Sequence, residues 1–166
     1  MKRIVSFLTL LWLLPSSLSC LLAEPVDPAL ARQVAANFYQ AMTGATPTEL
    51  KLAMQAETFL AEQATREAAQ PLYYWYNVGT NQGFVLVAGD DRMKPVLAYS
   101  DRGTSDPNDL PDALVKWLAQ LRKEARYLVQ EDIPATREIA TEWDRLRRGQ
   151  WSASATRAVA PLMTTI

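Results

Sequence analysis

Apolar residues recur along this chain with two periods, one of three to four residues and one near two. The switches between them mark out the elements. Leu30, Val34, Phe38, Ala41 and Met42 fall on one helical face. Asp27-Pro28 ahead of them is an N-cap and first-turn proline pair, and Gly44 supplies a stop, so the spacing predicts a helix over about 28–43. Between 50 and 70 the pattern is mixed: Leu50, Leu52 and Met54 alternate as in a strand, whereas 58–69 is rich in Ala, Glu and Gln. A short strand followed by a helical or loose connection is the expected arrangement.

Three strand-like runs follow: Leu72–Val78 (LYYWYNV), Phe84–Ala88 (FVLVA) and Pro95–Ser100 (PVLAYS). The turn-rich segments Gly79–Gly83 and Gly89–Arg92 separate them, and connections this short favour antiparallel neighbours in a β-meander. No crossover helix fits between the strands, which argues against a Rossmann-like sheet. Pro111 opens the longest amphipathic helix, whose apolar face is read as Leu114, Trp117, Leu118, Leu121, Ala125, Leu128 and Val129. A further helix is expected after Pro134 through Ile139, Trp143 and Leu146, stopping at Gly149, with Arg145, Arg147 and Arg148 in its last turn. From Trp151 onward the chain is Ser/Ala/Thr-rich without a period and reads as a flexible tail. The expected class is α+β, an antiparallel β-meander packed against amphipathic helices.

Composition narrows the chemistry. The chain has 166 residues, 49% hydrophobic and 21% charged, which suits about one globular domain. A net charge of −1 gives no global basic field to recruit nucleic acid. There is no histidine, which closes Ser–His, Cys–His and His-ligated metal chemistry within these residues, and no cofactor is expected. A single cysteine, Cys20, leaves no intramolecular disulfide or CxxC site. Residues 1–23 run from Lys2-Arg3 through an apolar stretch to a Pro15-Ser16-Ser17 break and Ala23, the layout of a secretory signal rather than a membrane span. The expected domains are therefore a 1–23 signal peptide, a 24–150 folded domain and a 151–166 tail, in a secreted or periplasmic protein. In a second reading Cys20 is a lipoprotein acceptor that anchors the protein to the outer membrane, although Ser17-Leu18-Ser19 matches that pattern poorly.

Candidate sites have bland readings beside the functional ones. Asp90-Asp91 with Asp101 lacks EF-hand spacing, so turn chemistry is preferred to calcium and no metal is assigned. Glu57, Glu62 and Glu67, spaced by five, scatter around a helix instead of pairing for acid–base work. Gly79…Gly83 is followed by a strand and no GK[ST], so it is not a phosphate loop. The Tyr73-Tyr74-Trp75-Tyr76 cluster is either core packing or a strand with one exposed contact face, for which Tyr74 and Tyr76 are the candidates. Arg145–Arg148 is a solvated helix end or a processing site.

The run Tyr73–Gly103, YYWYNVGTNQGFVLVAGDDRMKPVLAYSDRG, resembles the prodomain of C10 (streptopain-family) cysteine peptidases and the related Spi protease inhibitors. The shared pattern is an aromatic strand ending in Asn-Val, then Gly83-Phe84-Val85, Gly89-Asp90-Asp91-Arg92, and a Pro-Val-Leu-small strand with Tyr99-Ser100. With the flanking helices the resemblance extends over roughly 27–130. Val159–Thr165 is similar to the start of the family's mature peptidase, with Arg157, Pro161, Leu162 and Thr164 at the processing junction.

The resemblance implies an exported, non-catalytic inhibitor whose partner is a C10-type cysteine peptidase, held latent by a domain packed over its cleft. The family's catalytic Cys and His lie beyond the matched part, and no protease activity carries over to these residues. The blocking segment corresponds to 105–113. Related chains carry Pro-Glu-Asn where this one has Pro111-Asp112-Ala113, so the family's Asn is replaced by Ala113, with Asn108 nearby as a substitute. A plain proline-rich lead-in to the helix is the alternative for this segment. The rival functional readings are a prodomain remnant of a truncated C10 peptidase gene and a surface binding module.

Overall fold

The computed structural model describes residues 25–57 and 71–152. In chain order these form α1 (Pro28–Thr43), β1 (Leu50–Glu57), β2 (Pro71–Val78), β3 (Phe84–Ala88), β4 (Val96–Ser100), α2 (Asp112–Gln130) and α3 (Arg137–Arg147). The four strands make one antiparallel sheet in the order β1-β2-β3-β4, so the expected α+β class and meander are observed.

Local chemistry explains the boundaries. Asp27 accepts the Ala29 N–H at 2.7 Å and Pro28 occupies the first turn of α1, while Gly44, at φ 74°, ends the helix by donating to the Gln40 carbonyl. The β1 strand is longer than the expected short one, and its bulge between Leu52 and Met54 moves Met54 to the face opposite Leu52. Residues 58–70, with Glu62 and Glu67, lie outside the described residues. Thr136 caps α3 by accepting the Ile139 N–H. Two glycines of the motif are required by close approach. A Cβ on Gly83, which sits at φ 115°, would collide with the Ser100 carbonyl, and one on Gly89 would collide with the Pro71 carbonyl.

The β2 strand is buried on both faces, which is why it reads as a nearly continuous aromatic run rather than an alternation. One face presents Tyr74 and Tyr76 beside Val87 and Val85 of β3. It packs on α1, where the Tyr74 hydroxyl donates to the Val26 carbonyl at 2.8 Å and the Tyr76 hydroxyl to that of Pro28 at 3.2 Å. Tyr99 of β4 meets the Phe38 ring on this side, with centroids 5.0 Å apart. The other face carries Tyr73, Trp75 and Asn77 with Ala88, Leu86 and Phe84. Helix α2 closes it: Leu118, Leu121 and Ala125 join the same core, and burial raises the Tyr73 pKa, an effect the Arg122 guanidinium partly offsets.

Helix α3 docks on α1 through α1 side chains that donate to its last carbonyls. Asn37 donates to Leu146 O at 2.6 Å and Gln33 to Arg147 O at 2.9 Å. The Trp143 indole donates to Met93 O at 2.9 Å, tying α3 to the β3–β4 turn.

Three expectations are corrected. Trp117 is not on the buried face of α2; it is 38% exposed, because the buried stripe is narrower than the apolar list. Trp151 does not begin a free tail, since its ring packs against Phe38 with centroids 4.8 Å apart and it is half-buried. Tyr74 and Tyr76, offered as exposed contacts, are 0% and 3% exposed beneath α1. Residues 153–166, including Arg157, Pro161, Leu162 and Thr164, lie outside the described residues, as does Cys20.

Candidate functional site

The segment between β4 and α2 is the longest stretch without regular structure among the described residues that is exposed and yet anchored at both ends. At its start, Gly83 N–H donates to Gly103 O at 2.8 Å and Gly103 N–H to Asn81 O at 3.1 Å. Asn77, reaching up from β2, then clasps Ser105 with both ends of its amide. Its Nδ2 donates to the Ser105 carbonyl at 2.8 Å, and its Oδ1 accepts the Ser105 N–H at 3.1 Å. This explains why an asparagine closes an otherwise apolar strand: at 8% exposure a polar side chain needs partners, and the loop backbone supplies them.

Asp106 then folds the chain back. Its carboxylate accepts the Asn108 N–H at 2.9 Å and the Asn108 side-chain amide at 3.1 Å, and its carbonyl accepts the Asp109 N–H. Leu110 packs against the core and holds the far end. Pro111 sits at the α2 N-cap without a side-chain cap bond, and its carbonyl accepts the Leu114 and Val115 N–H groups. Asn108, Pro111, Asp112 and Ala113 are all exposed. The structure thus brings the four expected loop residues to one surface. It also shows Asn108 already engaged by Asp106 and Ala113 presenting only a methyl group.

The Gly89–Arg92 turn is a hub rather than a contact surface. Asp90, 5% exposed, receives Arg92 through Nε at 2.9 Å and Nη2 at 3.0 Å, a bidentate pair. Arg92 also reaches Asp132, between α2 and α3, at 3.5 Å, and the Asp90 carboxylate makes its guanidinium still harder to deprotonate. Gly89 O accepts the Val26 N–H, so the same turn positions the lead into α1. Gly83, Phe84, Val85, Tyr99 and Ser100 likewise shape the sheet: Phe84 packs on Trp75, and Ser100 caps its own turn by donating to Arg102 O at 2.7 Å.

Residues 23–125 match the family model of the Spi protease inhibitors. The chain belongs to the Spi protease inhibitor family. The matched span takes in the whole sheet, the 105–113 segment and α2 as far as Ala125. Over 127 residues the chain is also 36% identical to the Thiol protease/hemagglutinin PrtT of Porphyromonas gingivalis. That match covers 75% of this chain and 14% of the relative. No solved structure matches the chain significantly. The resemblance to C10 prodomains and Spi inhibitors is thereby borne out. In this Spi-family chain the motif glycines and the Asp90–Arg92 pair build the scaffold, while the 105–113 segment lies largely at the surface.

Sequence reasoning missed a second exposed surface. Within α2 the buried or half-buried residues are Leu114, Leu118, Leu121, Ala125, Leu128 and Val129, and Trp117 and Tyr127 lie outside that stripe, 38% and 60% exposed. A stricter angular reading at 100° per residue would have separated them, since Trp117 lies at the margin of that stripe and Tyr127 beyond it.

Proposed function

We propose that this protein is a non-catalytic inhibitor of a C10, streptopain-type cysteine peptidase, which it silences by packing over the active-site cleft with the 105–113 segment leading. The match of residues 23–125 to the Spi protease inhibitors carries the reading, and the similarity to a thiol protease supports the cysteine-peptidase class of the partner. The mechanism is exclusion. These residues hold no histidine, so no thiolate–imidazolium pair forms within them, and the loop offers a surface rather than a reacting group. The Ala113 side chain offers no hydrogen bond to a cleft and the Asn108 amide already donates to Asp106, so the block is chiefly steric. A loop fixed in advance by Asn77 and Leu110 has little ordering cost to deduct, and a Kd between ~1 μM and ~1 nM is expected. Export through the 1–23 leader, or anchoring at Cys20, belongs to the same reading.

The test is hydrolysis of a peptide substrate by a C10 peptidase of the source organism, titrated with the protein, with papain as control. Dose-dependent loss of C10 activity that spares papain is expected, and Ala113→Asn should tighten it. No inhibition at tens of micromolar would overturn the proposal. The relative is a protease far longer than the matched segment, which favours a second reading, a prodomain serving such a protease. That reading predicts the same cleft contact but a benefit to the folding of the peptidase.

A further inference from the structure

The three helices are held in place by different means. Helix α1 buries five of its sixteen residues, and the hydroxyls of Tyr39, Tyr74 and Tyr76 join it and its lead-in to the sheet and the β2–β3 turn. Helix α3 is tied to α1 by Gln33 and Asn37 and to the β3–β4 turn by Trp143. Helix α2 is the longest, yet only three of its nineteen residues, Leu118, Leu121 and Ala125, are fully buried.

The ends of α2 are weakly fixed as well. Pro111 caps it without a side-chain bond, its last turn has no basic residue, and Glu131 and Asp132 put negative charge at the negative pole of the helix. Asp132 takes a left-handed backbone at φ 47°, and its ion pair with Arg92 spans 3.5 Å from an almost wholly exposed carboxylate. On the sheet face that α2 closes, Trp75 is 1% exposed and its indole N–H has no hydrogen-bond partner among the described residues. A buried donor without a partner disfavours the closed arrangement, and lifting α2 returns it to water.

We propose that α2 is a lid, a unit that opens from the sheet about the segments 106–111 and 131–134 while α1, α3 and the sheet stay packed. Opening carries away Leu110 and Ala113 but leaves Ser105 clasped by Asn77, so the segment 105–113 is fixed at both ends only when the lid is down. Resting on the inhibitor reading above, a peptidase that takes the fixed segment holds the lid closed, and the closed lid in turn favours the peptidase.

Native-state hydrogen exchange on the full chain, followed by mass spectrometry at rising sub-denaturing urea, tests the lid without a partner. Amides of α2 should be protected at least about tenfold less than those of β2 and β3, with little urea dependence until global unfolding takes over. Val34→Ala, in the buried face of α1, should lower protection in β2 and β3 about tenfold and leave α2 unchanged, because α1 stays packed whether the lid is up or down. Protection of α2 equal to that of β2, or falling with it in Val34→Ala, would overturn the lid. A saturating C10 peptidase should raise α2 protection at least about tenfold. Unchanged protection with inhibition intact would overturn the coupling of lid to loop. Absence of inhibition would overturn the C10 reading and leave the lid to be decided by exchange in the free chain.

Discussion

Replacing Asn77 with alanine cuts a side chain that ties the sheet to the segment leading into α2. Two bonds go, at 2.8 and 3.1 Å, both to the Ser105 backbone and both from a residue that is 8% exposed. Each such bond contributes a net ~0.5–1.5 kcal/mol, so the expected loss of stability is about 1–3 kcal/mol. For a domain of this size each kcal/mol moves the melting temperature by about 2–4 °C, which places the variant roughly 2–12 °C lower. The functional cost is separate. Fixing a residue's backbone costs about 1–2 kcal/mol, so two or three loop residues released around Ser105 must be ordered again on binding and would weaken inhibition by tenfold or more. Urea and thermal unfolding followed by circular dichroism give the first quantity, and the inhibition constant against a C10 peptidase gives the second. A melting temperature within 1 °C of wild type together with an unchanged inhibition constant would refute the reasoning and show that the loop is held elsewhere.

Arg92→Ala strands a buried Asp90 carboxylate and should destabilise by roughly 3–5 kcal/mol, with Asp90→Asn in the same chain restoring part of the loss; equal unfolding midpoints for the single and double variants would contradict this. Burial pushes Tyr74 and Tyr76 up to about 12. Because the folded state holds their protons more tightly than the unfolded chain does, the stability they contribute is fully present below pH 10 and is lost as pH rises from 10 towards 12. Unfolding midpoints measured across that window should fall, and Tyr74→Phe/Tyr76→Phe should flatten the slope while lowering the plateau.

The period of apolar residues determined the elements because the physics that sets it is local. Asp27, Pro28 and Gly44 bound α1 through their own backbone and side-chain chemistry, and short Gly-rich turns leave consecutive strands no option but antiparallel pairing. The family motif was legible for a similar reason. Gly83 and Gly89 are places where a side chain would strike a neighbouring backbone, and Asp90 and Arg92 are two residues apart in one turn. The exposure of each aromatic was another matter. LYYWYNV favours core packing but also admits a strand with one wet face, and only the placement of α1 over Tyr74 and Tyr76 and of α2 over the opposite face decided that both are dry. Trp117 and Trp151 exchanged roles for the same cause: α2 buries Leu118, Leu121 and Ala125 and leaves Trp117 in solvent, while Trp151, just beyond α3, packs onto Phe38. Burial depends on what residues distant in the chain bring to a surface, and periodicity along one segment carries no record of that.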